Sequence, residues 1–356
     1  MKLTLEKRTV DSASGSTNYS NIKSIKKLLG SQNKIESNRI GFFAQPNKNL
    51  LRFFKSFIGP GDEVLTVGPT NENVLQTISS CDASYFEFYE KPMFLPDLLG
   101  LVGKVTTRTK MIVMGNPNKY TGVVYSQREI EHILNVSENI IVVLDESTFE
   151  SSQITSLDLI DKYENVALIR TITGDNNDNN DQMDYIISSP AVINNINNNI
   201  FDISYGNSDL DKILNNLKSK GSRLGRIKDA RQEMLYLSIR LRMFDLNCFL
   251  NPDYSFVIKT PKTEEVLSQL NKIGVKALDL ACYPGLAGNV LIPFALDIDA
   301  ISIINIFEAM ANNENYNKPE HNRLTAYKPL ETATGPIIGR NHDIVSGSRI
   351  ESNMVF

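Results

Sequence analysis

Short apolar runs recur along the first half of this chain, and polar stretches of helical length separate them. Residues 40–44 (IGFFA), the strand that follows Gly59-Pro-Gly-Asp-Glu-Val-Leu65, and residues 110–114 (KMIVM) are the first three. Residues 139–144 (NIIVVL), 166–170 (VALIR) and 183–187 (MDYII) complete the series. Runs this short are strands rather than helices, and a strand apolar at nearly every position is buried on both faces. Helix signals lie between them. Ile22, Ile25, Leu28 and Leu29 repeat at helical spacing over residues 19–29, with Ser20 or Asn21 as N-cap. Ser126 and Glu129 form a capping-box pattern. Apolar strands alternating with capped helices predict an α/β fold built on a mostly parallel sheet.

The second half changes character. Ile227, Met234, Leu237 and Leu241 predict a long helix within 225–244, whose arginines and lysines should form its solvated face. Strands at 255–258, 275–277 and 290–292, with helices at 264–273 and 300–310, predict a small α+β domain. Residues 1–18 and those beyond about 312 are polar, and read as a flexible segment and an extended tail.

At 356 residues the chain can bury two cores. A net charge of −4 makes no electrostatic case for nucleic acid or an anionic membrane. No apolar run approaches the roughly 18 residues of a membrane span, and no signal-peptide core is visible, so a cytoplasmic location is expected. Cys81, Cys248 and Cys282 have no metal-binding spacing and read as free thiols.

Residues 166–190, VALIRTITGDNNDNNDQMDYIISSP, resemble a segment of the fold-type-I pyridoxal-phosphate (PLP) aminotransferases, LRTFSKAFGLAGLRIGYAISSP, best known from the histidinol-phosphate aminotransferase group. The resemblance extends over about residues 19–310. It rests on Pro60-Gly-Asp-Glu-Val-Leu65, Asn116-Pro-Asn-Lys-Tyr-Thr-Gly122 and Val142-Val-Leu-Asp-Glu146. It implies a three-layer α/β/α sandwich with a mostly parallel seven-stranded sheet, plus a small C-terminal α+β domain. The expected divisions are a flexible segment 1–18, a large PLP-transferase-like domain 19–205, a small domain 206–311 and a tail 312–356.

The same resemblance implies that the site has lost its chemistry. The family's Schiff-base lysine falls on Gly174, and its phosphate-binding arginine on Gln182. The phosphate-cup turn becomes Gln45-Pro46-Asn47, where proline offers no N–H. The ring-stacking aromatic falls on Asn71, the ring-hydroxyl asparagine on Lys119, the ring-hydroxyl tyrosine on Thr148, and the carboxylate-binding arginine on Leu291. Asp145 keeps the place of the aspartate that faces the pyridinium nitrogen, although a carboxylate ending a strand also caps turns. Thr171, Thr173, Gly122 and Tyr19 keep family positions; Tyr19 reads equally well as a surface residue starting a helix. Some relatives work with histidine in place of the lysine, but His132, His321 and His342 do not align there.

Candidate pocket residues are therefore Asp145, Lys119, Thr171, Thr173, Tyr19 and Asn71, with Lys119 the candidate catalytic group. Lys119 reads either as a surface lysine in a turn-rich stretch or as an amine beside Asp145, able to bind an anion or form a Schiff base. The loop 175–184 carries many oxygen ligands. It lacks the EF-hand glycine and glutamate, and reads as a solvated loop. The expectation is an aminotransferase-like protein that has lost transamination, without cofactor or metal, acting as a non-catalytic partner or ligand-binding subunit. It would pair with itself or with an active aminotransferase. The alternatives are a repurposed biosynthetic enzyme using Lys119 and Asp145, or an atypical PLP- or pyridoxamine-phosphate-dependent aminotransferase.

Overall fold

A computed structural model describes residues 19–42, 49–89, 97–172, 183–198, 207–218, 220–244 and 246–312. The expected N-terminal segment and tail, the turn 45–47, Thr173, Gly174, Gln182 and most of the Asn/Asp-rich loop lie outside the described residues.

The chain opens with α1 (Tyr19–Asn33), β1 (Ile40–Phe42), α2 (Asn49–Lys55), β2 (Glu63–Gly68), α3 (Glu72–Ser79) and β3 (Ser84–Tyr89). It continues through α4 (Leu98–Val102), β4 (Thr109–Gly115), α5 (Gln127–Leu134), β5 (Ile141–Asp145), α6 (Phe149–Ser152), β6 (Val166–Ile172), β7 (Met183–Ser188) and α7 (Pro190–Asn198). These strands form one sheet in the order β1-β7-β6-β5-β4-β2-β3. β3, β2, β4, β5 and β6 run parallel, and β7 is antiparallel to both of its neighbours.

The two-residue strand period explains the three layers. Val142, Leu144, Leu168 and Ile112 pack to one face with α1, α5 and α8 (Asn207–Lys218). Their neighbours Ile141, Val143, Ala167 and Met111 pack to the other face with α2, α3 and α7. Both faces are therefore core, as the uninterrupted apolar runs require. The capping box of α5 is present in both directions: the Ser126 hydroxyl accepts from the Glu129 N–H (3.2 Å), and the Glu129 carboxylate accepts from the Ser126 N–H (2.7 Å).

The helix α9 (Lys220–Arg242) leads to a second, antiparallel sheet, β10-β11-β9-β8, made of β8 (Asn247–Leu250), β9 (Phe256–Lys259), β10 (Leu278–Asp279) and β11 (Asn289–Ile292). Its core joins Met234, Leu237 and Leu241 of α9 to α10 (Thr263–Lys272) and α11 (Ala300–Asn312). Two expectations need correction. The strand expected at 275–277 lies at Leu278–Asp279, because the Val275 N–H turns back to the Leu270 carbonyl and the Ala277 N–H to that of Val275. The arginines of α9 do not all face solvent either. Arg231 donates to the Glu150 carbonyl (3.1 Å) and lies over the Tyr254 ring, because the α6 end of the first layer packs against this helix.

Candidate functional site

Parallel strands deliver their connecting loops to one edge of a sheet, and ligands of open α/β sheets bind in the crevice outside the carboxyl ends. Here the loops after β2, β4 and β5 and the ends of β6 and β7 meet the second sheet and α9 around a cavity of about 380 Å³. Its walls include Asn71, Lys119, Asp145, Thr171, Asp184 and Asp253.

The β4 loop is held rigidly. The Asn116 carbonyl oxygen of the side chain accepts from the Tyr125 N–H, and its amide donates to Ser156. The Asn118 side chain accepts from the N–H groups of Tyr120 and Thr121 and donates to the Pro69 carbonyl (3.0 Å). The loop closes at Gly122, whose φ of +69° favours glycine and where a Cβ would lie 2.6 Å from Asn251 Oδ1. Asn251 in turn donates to the Lys119 carbonyl (3.4 Å). Tyr120 is buried against Tyr283, 4.8 Å between ring centres, in a small apolar cluster with Val257, Leu280 and Leu291. Burial, aided by the hydrogen bond with Tyr283, pushes its phenol far upward. Tyr120 thus docks the first sheet's loops onto the second sheet, and Lys119 is left on the cavity wall. Among the described residues the Lys119 amine makes no ion pair.

Asp145 and Glu146 end β5 side by side and face opposite environments. Glu146 is fully buried. Its carboxylate accepts from Arg170 Nε (3.0 Å), the Thr155 hydroxyl (2.9 Å) and the Ser156 N–H (2.6 Å). Arg170, also buried, donates to Asn33 and Thr155 and stacks on Phe149, 3.7 Å from the ring centre. Burial pushes the Glu146 carboxyl up, and Arg170, Ser156 and Thr155 pull it back. Asp145 is half-buried and accepts from the Ser147 N–H (2.9 Å). The turn-capping reading of Asp145 is therefore real, but it occupies one carboxylate oxygen and the residue still lines the cavity.

Across the sheet, Thr171 on β6 faces Asp184 on β7, and its hydroxyl donates to the Asp184 carboxylate (2.7 Å). Burial holds the Asp184 carboxyl above its ordinary value; Thr171 lowers it and the charge of Asp145 raises it again. From the turn between β8 and β9 of the second sheet, Asp253 accepts from the Ser255 N–H and hydroxyl. Burial raises the Asp253 carboxyl, and those bonds and the Lys119 charge oppose the rise. Glu150 of α6 pairs with Arg223 of α9 (2.5 Å), and both line the wall.

Four of the six residues singled out in the sequence, Asn71, Lys119, Asp145 and Thr171, thus meet at one cavity. Asn71 also caps α3, accepting from the Asn73 N–H (3.0 Å). Thr173 and the Tyr19 side chain lie outside the described residues. Sequence reasoning missed Asp184, Asp253 and the Glu150–Arg223 pair. Asp184 carried a signal, a carboxylate inside an otherwise apolar strand; the pair, whose partners lie 73 residues apart, carried none.

The family model for aminotransferase class I and II matches residues 17–200. Histidinol-phosphate aminotransferase 2 of Haemophilus influenzae is 35% identical over 101 residues, 27% of this chain and 28% of that protein. The chain thus spans little more than a quarter of the length of that relative. Among solved structures, aspartate aminotransferase from Thermotoga maritima superposes with a TM-score of 0.68 at 19% identity, covering 85% of this chain and 84% of the other. Histidinol-phosphate aminotransferase from Sinorhizobium meliloti, solved in complex with pyridoxal-5'-phosphate, superposes with a TM-score of 0.67 at 13% identity, covering 83% and 81%. At such identities the superpositions speak for the fold. None of the described helices is long and apolar enough to cross a membrane.

Proposed function

The chain belongs to the class I and II aminotransferase family, and from that premise we propose that it has given up PLP-dependent transamination and acts as a ligand-binding, non-catalytic subunit. The observation that carries this reading is the composition of the Asp145 cavity. Transamination needs a lysine that bonds the cofactor and then moves a proton, and an anchor for a phosphate dianion. The sequence has no lysine between Lys162 and Lys212, the interval that contains the family's position at Gly174. Among the described residues Lys119 is the lysine of the cavity wall, and it arrives from the β4 loop instead.

The described part of the wall is also unfavourable for a phosphate. Its described carboxylates are Asp145, Glu150, Asp184 and Asp253; its cations are Lys119 and Arg223, and Arg223 is bound to Glu150. A phosphate dianion entering this field meets like charge, and Asn71 supplies no ring to stack on a pyridine. The described residues do not fit PLP. Residues 19–205 and 206–311 are proposed as the two domains, each around its own sheet, and the quaternary state as a homodimer or a heterodimer with an active aminotransferase.

A second reading is supported by one feature. The Lys119 amine lines the cavity with no ion pair among the described residues, which suits a repurposed enzyme using Lys119 and Asp145. One experiment separates the two. The purified protein is titrated with PLP, followed by absorbance, reduced with borohydride and peptide-mapped, with its mass in solution measured alongside. The expected result is no cofactor band and no label in a folded dimer. A label on Lys119 overturns the non-catalytic reading in favour of the enzyme.

A further inference from the structure

The helix α9 carries apolar side chains on two faces, where a helix at a protein surface needs only one. Ile227, Ala230, Met234, Leu237 and Leu241 recur at helical spacing and are buried. Tyr236, Ile239 and Met243 fall on the opposite side and are 46%, 52% and 69% exposed. We infer that this second face is a seam for self-association. On it α9 of a second copy packs antiparallel, with Tyr236 of one copy opposite Ile239 of the other.

The spacing fits such a seam. Gln232, Tyr236, Ile239 and Met243 follow one another at steps of four, three and four, the alternation with which two helices mesh. All four are exposed, and together they make a stripe about 16 Å long at 1.5 Å per residue. Setting Tyr236 against Ile239 in antiparallel sense also sets Gln232 against Met243. A two-fold axis repeats each contact.

Charge selects the occupant. Glu233 and Arg240 lie on one flank of the stripe, seven residues apart. That is about 10 Å along the helix, too far for them to pair within one copy. In the register above, Glu233 of one copy comes across from Arg240 of the other, twice about the axis. Neither side chain has an ion-pair partner among the described residues, and the Nε of Arg240 is shielded from solvent without a hydrogen-bond partner there. An anionic membrane would suit a purely basic face, but here Asp229 and Glu233 oppose it. A surface offering both signs in reverse order meets the face, and the same face turned end for end is such a surface. So short a seam buries less than a permanent interface needs, so the association is weak and rises with concentration. It does not rest on the loss of transamination, and it adds a contact to any pairing made through another surface.

The test is disulfide trapping in the full-length protein, with the exposed Cys282 changed to serine. Tyr236→Cys and Ile239→Cys proteins, one of them carrying a size tag, are mixed and oxidised. The mixed disulfide is expected to exceed either self-disulfide at least about fivefold, because the register sets those two positions face to face. Glu233→Lys, at an exposed position, is expected to lower the yield about threefold, and Arg240→Glu added in the same chain to restore it. Should Arg240→Glu shift the thermal melt, Arg240→Gln takes its place and is expected to recover part of the yield. Vesicles of phosphatidylserine and phosphatidylcholine are expected not to bind. Equal yields of all three disulfides mean random collision and overturn the inference, as does the absence of any disulfide. A yield indifferent to Glu233→Lys overturns the register. Vesicle binding without a disulfide gives the face to a lipid surface instead.

Discussion

Glu146 and Asp145 are adjacent in sequence, and their surroundings could hardly differ more. Glu146 sits with Arg170 in a closed network in which a cation, a hydroxyl and a backbone N–H meet the carboxylate, and Phe149 covers the guanidinium. Asp145 has one backbone donor and looks into a cavity beside Asp184. The difference is one of completeness. A buried charge whose partners are all internal specifies the fold, whereas one with capacity left over is available to something from outside.

That contrast breaks most readily at Arg170. Arg170→Met leaves Glu146 buried without its cation and is expected to destabilise the protein by about 3–5 kcal/mol in denaturant titration. Adding Glu146→Leu should recover most of the loss, because a buried pair replaced whole by apolar groups is nearly neutral. If the double variant stays as unstable as the single one, the network holds the fold by more than charge pairing.

Asp184→Asn should act in the opposite direction, raising stability at neutral pH by less than about 1 kcal/mol. The folded state holds the Asp184 carboxyl above its ordinary value through burial, with Thr171 opposing and Asp145 reinforcing. Its ionised form therefore costs stability at neutral pH, and the cost is relieved as pH falls through the folded-state value towards the unfolded one. The gap between variant and wild type should narrow on acidification over that window; a constant gap would mean that the substitution acts through packing. The smallest effect is expected from Asp145→Asn, within about 0.5 kcal/mol of wild type, because asparagine keeps the oxygen that accepts from Ser147. A larger loss would move Asp145 into the same class as Glu146.

Much of the first layer was legible because its cause is local. A run such as Ile141–Asp145 must be buried on both faces, and the sheet obliges. The capping box of α5 was readable in the same way, whereas the expectation that Lys119 and Asp145 share a cavity came from the family resemblance. What escaped depends on partners far along the chain. The pairing of Glu150 with Arg223, the docking of Tyr120 on Tyr283 and the inward turn of Arg231 are set by how the two sheets meet, and no local pattern records that. The two-residue β10 was misplaced because Val275 and Ala277 look like a strand while their N–H groups close a turn.

The helix α9 adds a mechanical consequence. Twenty-three residues of continuous helix make a rod about 35 Å long. Near one end Arg223 and Ile227 form part of the cavity wall, and near the other Met234, Leu237 and Leu241 are embedded in the second core. A rod anchored at both ends transmits displacement instead of absorbing it. The Glu150–Arg223 pair at the cavity and the second core are therefore mounted on one continuous element.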